Sequence, residues 1–409
     1  MVFKASDIEK VKDHITKSTI LKENKQHILK FIEQIAAEGL SKTRQQKYIY
    51  ILVSLSKMIK KNWKDLTKQD IVTLCSEINN SDLAEWTKHD RLVAIKRFMK
   101  FIYEQLGESY DKGEYPACVK WIRTTIKNNR KKNPDDLLTS EDIKKLANHT
   151  NNLRDRAMVL VLYESAARIA ELQNVKVKHV VFDKYGCLVD LHGKTGGRRI
   201  RLISSAPSIS NWLTDHPKKA KPDFRESYLF CSLWGKSRGE FLSYPQINLL
   251  LREIAGKAHI TKPVRPHWFR HSRGTELAKR LTEAQLCEYL GWVQGSKEAS
   301  TYVHLSGRDT DKAILAMHGL IEEDISKDKL QPIECPRCKI KNDPAANVCH
   351  HCSLGLDEKS IMEFDQQKEE ATEIGFQSMD MLKDPEFFKF YRDTLTETWE
   401  KYKQMKEKD

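Results

Sequence analysis

The chain has 409 residues, 40% of them hydrophobic, which is enough for two or three packed domains and excludes a disordered polymer. No run approaches the ~18 apolar residues that cross a bilayer, and the N-terminal MVFKASDIEK lacks the apolar core of an export signal, so a membrane partner is excluded and the cytoplasm, around the nucleoid, is the expected compartment. The net charge of +13 is uneven, with 27 Lys and Arg against 18 Asp and Glu over 1–140, 29 against 18 over 141–320, and 14 against 21 over 321–409, and two basic blocks before an acidic tail suit a polyanionic partner whose counterions they release.

From 6 to 107 the apolar spacing is mostly helical. Ser41 is placed to cap a helix through Ile49, Leu52, Leu55 and Ile59, and Thr67 a second through Ile71 and Leu74. Ser81 or Asp82 starts a third, carrying Leu92, Ile95, Phe98, Met99 and Ile102 until Gly107 stops it. This predicts a helical bundle over 1–108, with Lys42, Arg44, Lys47, Arg91, Lys96, Arg97 and Lys100 among the exposed positions that can lie along a DNA backbone. The periodicity fails over 109–137, where Gly113, Pro116, Pro134 and the basic run 127–132 predict a linker.

Helical spacing resumes at Thr139, which forms a capping-box pattern with Asp142, and again from Leu153 to Leu162. Three short β-branched or alternating runs, 179–183, 188–192 and 198–203, then predict a three-stranded antiparallel meander with glycine-containing turns at 184–186 and 193–197. Helical patterns return over 208–216, 245–258, 266–280, 282–290, 298–305 and 310–318. The predicted second domain, 138–320, is mainly α with one small antiparallel sheet, an α+β class.

Across that domain five polar residue types occur in a fixed order. Arg168 stands in Arg168-Ile-Ala-Glu171-Leu172, Lys194 in a hairpin turn, and His267 and Arg270 in His-Trp-Phe-Arg-His; Trp292 follows Leu290-Gly291, and Tyr302 lies in Ser-Thr-Tyr-Val-His. Over 139–318 this resembles the tyrosine recombinases, or phage integrases, whose pattern is R-x-x-E-L, a turn lysine, H-x-x-R, a His or Trp after Leu-Gly, and a nucleophilic tyrosine. The N-terminal bundle is similar to the core-binding domain of that family. Ala167 stands where a bulkier residue often precedes the arginine, and Trp292 where His is more frequent. The interval from Trp292 to Tyr302 is about one residue longer than the commoner spacing, and Gly295 is expected to absorb the addition in a loop rather than rotate Tyr302 by about 100° on a helix.

The resemblance implies a DNA strand cut and rejoined through a covalent phosphotyrosine at Tyr302, which conserves the bond energy and needs neither ATP nor a metal. It implies that Arg168 and Arg270 grip the phosphoryl oxygens as planar cations, that Lys194 protonates the departing 5′-oxygen, that His267 accepts a proton or bonds the phosphate, and that Trp292 donates its indole N–H. Glu171 and His271 are expected to hold the arginines and their helix in place. It also implies double-stranded DNA as substrate and a homotetramer on paired sites.

The nine cysteines fall into two populations. Cys75, Cys118, Cys187, Cys231 and Cys287 are scattered and read as small buried apolar residues. Cys335, Cys338, Cys349 and Cys352 form two C-x-x-C pairs separated by ten residues, a spacing that resembles a zinc ribbon over 330–356. Four thiolates close a tetrahedral shell, so one structural Zn²⁺ is expected, neither catalytic nor in need of His350 or His351. The alternatives are unliganded thiols or a redox pair. The module is expected to unfold on metal loss while 139–318 stays folded. The charged segment 357–409 is predicted helical, and its negative balance argues against a major DNA contact.

Within the resemblance, the ribbon and tail exceed a minimal resolvase, which favours an integrase of a mobile element, archaeal integrases among those it resembles, over a Xer-like chromosome-dimer resolvase. A non-catalytic DNA-binding protein on the same scaffold would have no physical need for the full Arg–Lys–His–Arg–Trp–Tyr set. A type IB topoisomerase would use similar chemistry without the N-terminal bundle.

Overall fold

The computed structural model describes residues 6–125, 134–193, 196–296, 298, 299, 302, 315, 318, 320, 330–381 and 383–406, which form two compact units, 1–132 and 133–409. The first unit is helical: α1 (Ser6–Lys17), α2 (Lys22–Ala37), α3 (Lys42–Ile59), α4 (Lys68–Asn80), α5 (Glu85–Gln105) and the short α6 (Ala117–Lys120). Its core centres on Phe31, Trp63 and Phe98, with Phe98 edge-on to Phe31 at 5.2 Å and to Trp63 at 5.1 Å. The Trp63 indole N–H donates to Ser56 Oγ at 2.7 Å, which satisfies the one polar atom that this ring buries.

Thr67 and Asp70 form the reciprocal cap of α4. Helix α5 begins at Glu85, later than 81 or 82, because Ser81 closes α4 instead: its N–H and its hydroxyl both donate to Ile78 O. The linker is also shorter than predicted. Val119 and Ile122 are buried in the bundle core, so the chain up to 122 belongs to the first unit. Lys42, Arg44 and Lys47 are exposed, whereas Lys96, Arg97 and Lys100 are half-buried and engaged internally, with Ile122 O, Glu38 and Tyr110 O respectively.

The second unit is built around α8 (Leu153–Ser165), buried on all sides from Ala157 onward and flanked by α7 (Ser140–Asn148), α10 (Ala206–Thr214) and α12 (Pro266–Leu277). The predicted Thr139–Asp142 cap starts α7. After α8 the chain turns through Ala166 at φ 46° into the one-and-a-half-turn α9 (Ile169–Gln173). The meander follows as β1 (Val180–Asp183), β2 (Gly186–Gly193) and β3 (Gly196–Leu202), antiparallel in the order β1-β2-β3, with Leu191 opposite Arg198 and Gly193 opposite Gly196. Helices α11 (Tyr244–Lys257) and α13 (Glu283–Leu290) complete it, the latter capped by Thr282 and Gln285 and ended by Gly291 at φ 64°. Buried Glu164 of α8 accepts from the backbone N–H groups of Ile203, Ser204 and Ser205, which ties the end of the sheet and the start of α10 to the central helix.

The four-cysteine segment, with β4 (Ile333–Glu334) paired to β5 (Lys341–Asn342), is not a separate bead. Asp343, 5% exposed, receives a two-pronged bond from Arg156 of α8 at 2.9 and 2.8 Å, Ser204 Oγ donates to Leu330 O, and Leu330 and Ala345 join the core of the second unit. Beyond it run two helices, Glu358–Met381 and Pro385–Lys406, which expose Phe388, Phe390, Tyr391 and Trp399. No helix among the described residues is long and apolar enough to cross a membrane. Of the helices predicted over 298–305 and 310–318, only Glu298, Ala299, Tyr302 and Leu315 are described as helical; the remainder, apart from His318 in a turn, lie outside the described residues.

Candidate active site

Three arginines meet at the C-terminal end of α13, where a helix presents its unpaired carbonyls and the negative end of its dipole. Arg198 Nε donates to Tyr289 O at 2.8 Å, Arg270 Nη2 to Leu290 O at 2.7 Å, and Arg168 Nη2 to Gly291 O at 3.0 Å, so three consecutive carbonyls each hold a different guanidinium. Arg270 is 3% exposed and also donates to Ala166 O at 2.7 Å, the residue held in the left-handed turn after α8. Its burial, with the charge of Arg168 nearby, lowers the guanidinium to about 10, which leaves it charged at neutral pH. Arg168 precedes α9 with its side chain about one-third exposed, the part open to an incoming group.

Glu171, 1% exposed, joins two of these cations. It accepts from Arg168 Nη1 at 2.9 Å and from the Arg168 backbone N–H at 3.0 Å, and from Arg198 Nη2 at 2.9 Å. Burial opposes its ionisation, but the hydrogen bond and charge of Arg198, and then the bonds from Arg168, hold the carboxyl below the usual carboxylate range. Gly193 lets the hairpin approach this group: a Cβ there would stand 2.6 Å from Glu171 Oε1. Lys194 itself lies outside the described residues, between the paired Gly193 and Gly196.

Tyr302 is 2% exposed, its ring 5.1 Å from Trp292 and 5.8 Å from His271. Its hydroxyl is hydrogen-bonded to His271 Nδ1, so His271, expected only to support its helix, touches the phenol directly. His267 is exposed one turn earlier on α12, its ring 5.1 Å from that of His271. Burial raises the phenol to about 12; the charge of Arg270 pulls it down and that of Glu298 pushes it up. Gly295 adopts φ 75° between Trp292 and Tyr302, whose rings lie 5.1 Å apart.

Two participants escaped the sequence reading. Gly274 of α12 leaves room for the tyrosine: a Cβ there would lie 3.1 Å from Tyr302 Cε1 and 3.4 Å from Leu290 Cδ1. Arg198 is the other. The alternation of β3, in which Ile200 and Leu202 are buried, places Arg198 on the inward face with them, and that period of two was a legible signal.

In the four-cysteine segment the Sγ atoms lie within 4.8 Å of one another, Cys335 to Cys352 at 3.5 Å and Cys338 to Cys349 at 3.6 Å. A tetrahedral ion with bonds of ~2.3 Å holds its sulfurs ~3.8 Å apart, so the cage fits a metal. Asn342 supports it, donating to Cys349 Sγ at 3.6 Å and accepting from the His350 N–H at 3.0 Å.

Residues 136–308 match the phage integrase family. Tyrosine recombinase XerA of Pyrococcus horikoshii is 26% identical over 281 residues, 69% of this chain and 87% of that protein, and tyrosine recombinase XerC of Actinobacillus pleuropneumoniae is 24% identical over 289 residues, 70% and 90%. Among solved structures, the XerH site-specific recombinase bound to palindromic difH substrate in a post-cleavage complex has a TM-score of 0.52 at 17% identity, covering 76% of this chain and 94% of that one. The Tn1549 transposon integrase in complex with transposon right end DNA has a TM-score of 0.53 at 15% identity, covering 72% and 98%. Those structural likenesses speak for the fold, and the arginines, the buried tyrosine and the matched segment agree with it. Through residues 136–308, this chain is similar to the phage integrase family, the tyrosine recombinases.

Proposed function

We propose that the chain is a site-specific DNA recombinase whose nucleophile is Tyr302. The observation that carries this reading is the phenol hydrogen-bonded to His271 and acted on by the charge of Arg270, one of the three guanidiniums held at the end of α13. The Tyr302 oxygen attacks the scissile phosphorus and forms a P–O bond, its proton passing to His271 Nδ1. The bond to the 5′-oxygen breaks, and that oxygen takes a proton from Lys194, leaving a 3′-phosphotyrosine. Because the phenol is raised to about 12, it is neutral at rest and needs that base. Arg168 and Arg270 stabilise the growing charge on the non-bridging oxygens, with hydrogen bonds from His267 and Trp292 beside them. Rejoining reverses these steps on a second strand, so neither ATP nor a divalent ion enters the chemistry, and the working form is a tetramer on two duplexes.

The test is capture on nicked duplex DNA drawn from a random-sequence library. A covalent protein–DNA species should form in EDTA, survive a denaturing gel, and map by peptide mass spectrometry to Tyr302. Adduct on another residue, or none, would remove the reading in favour of a binding-only protein. Two biological roles fit the same chemistry. The ribbon and tail favour an integrase of a mobile element, the similarity to XerA and XerC favours a Xer-like resolvase, and the DNA flanking the gene discriminates them.

The four cysteines hold one structural zinc ion, which supplies folding energy to the module rather than chemistry to DNA. Since Asp343 and Ala345 anchor that module to α8 and the core, stripping the metal should lower the unfolding midpoint of the second unit by roughly 5–10 °C in calorimetry. Metal analysis should give one zinc per chain, and a metal-free protein melting as the loaded one does would sink the idea.

A further inference from the structure

We propose that Arg198 is a positioning residue for strand cleavage, an inference that rests on Tyr302 being the nucleophile. Its side chain is 10% exposed and joins three parts of the site. It belongs to β3, four residues after Lys194; it donates to Glu171 beside α9; and it donates to Tyr289 O at the end of α13. The fit is close enough to dictate a neighbour, because a Cβ on Gly291 would stand 2.6 Å from Arg198 Nη1.

The electrostatic argument concerns Glu171. Facing Arg168 alone, this buried carboxylate would cancel the charge of Arg168, whose side chain is about one-third exposed. With Arg198 as its second partner the trio carries +1, and with Arg270 the cluster carries +2, which balances the −2 that a phosphodiester reaches when its single negative charge doubles on attack. Arg198 therefore frees Arg168 to act on DNA. It also moors the hairpin of Lys194 to the helix whose carbonyls orient both phosphate arginines. The adjacent Arg199 serves as an internal control, since it is exposed and pairs with Asp190 on the surface at 2.6 Å.

The experiment uses the full chain and, as probe, the nicked duplex on which the wild type forms its adduct; if the wild type forms none, the reading of Tyr302 fails before Arg198 is tested. Arg198→Met should slow single-turnover adduct formation about 30- to 100-fold while DNA affinity stays within about threefold, and Arg199→Met should stay within about twofold. Adding Glu171→Gln to Arg198→Met removes the carboxylate that then offsets Arg168 and should recover about tenfold or more, a rescue that a packing role does not give. Should Arg198→Met melt below the assay temperature, Arg198→Lys replaces it; this keeps the charge but not the forked bond, and a loss of about three- to tenfold is expected. A wild-type rate in either Arg198 variant overturns the proposal, and so does a double variant slower than Arg198→Met.

Discussion

Tyr302→Phe should form no covalent complex with DNA while binding it as the wild type does. The substitution deletes one oxygen and keeps the ring, which fills the space between Trp292 and His271 and rests on Gly274. Stability should fall only by about 1 kcal/mol, the net worth of the hydrogen bond to His271. Loss of activity without loss of fold or affinity separates a nucleophile from a packing residue. The checks are a denaturing gel for adduct, a binding isotherm and a melting curve on the same preparation. An adduct that persists in the variant would mean that another residue attacks.

Arg270→Ala should slow cleavage by about 10³-fold or more, some 4 kcal/mol of transition-state stabilisation, and should also destabilise the second unit. Both effects follow from its burial. The guanidinium is charged where little solvent reaches, and its removal deprives Ala166 O and Leu290 O of their donor. Arg270→Lys should rescue little, because an ammonium lacks the fork that spans the two carbonyls. Single-turnover rates and midpoints measure the two losses separately, and a lysine variant near the wild-type rate would reduce Arg270 to a simple positive charge.

The residues that could be read in advance are those whose meaning is local. Thr67 with Asp70, Thr139 with Asp142 and Thr282 with Gln285 close caps within three residues, and the glycine turns of the meander fall where strand twist requires them. Ser81 misled because the same side chain that begins one helix can finish another, and only the position of Ile78 O decides. Val119 and Ile122 sit in a stretch without periodicity, so their burial depends on the bundle that receives them. In the site, motif order pointed to Arg168, Arg270 and Tyr302, but not to contacts between distant segments. His271 at Tyr302 and Arg198 at Glu171 span 31 and 27 residues, and Arg198 stands beside a chemically identical neighbour.

The hub of this site is main chain. Tyr289, Leu290 and Gly291 offer their carbonyls, and a carbonyl is the same whichever side chain its residue bears. Substitutions along the outer face of α13 can therefore accumulate without touching the arginines, Gly291 excepted. Length is another matter: a single insertion or deletion in that helix turns its end by about 100° and slides it by about 1.5 Å, and all three guanidiniums lose their acceptors together. Lineages descended from this chain are free to vary what α13 is made of, but not how long it is.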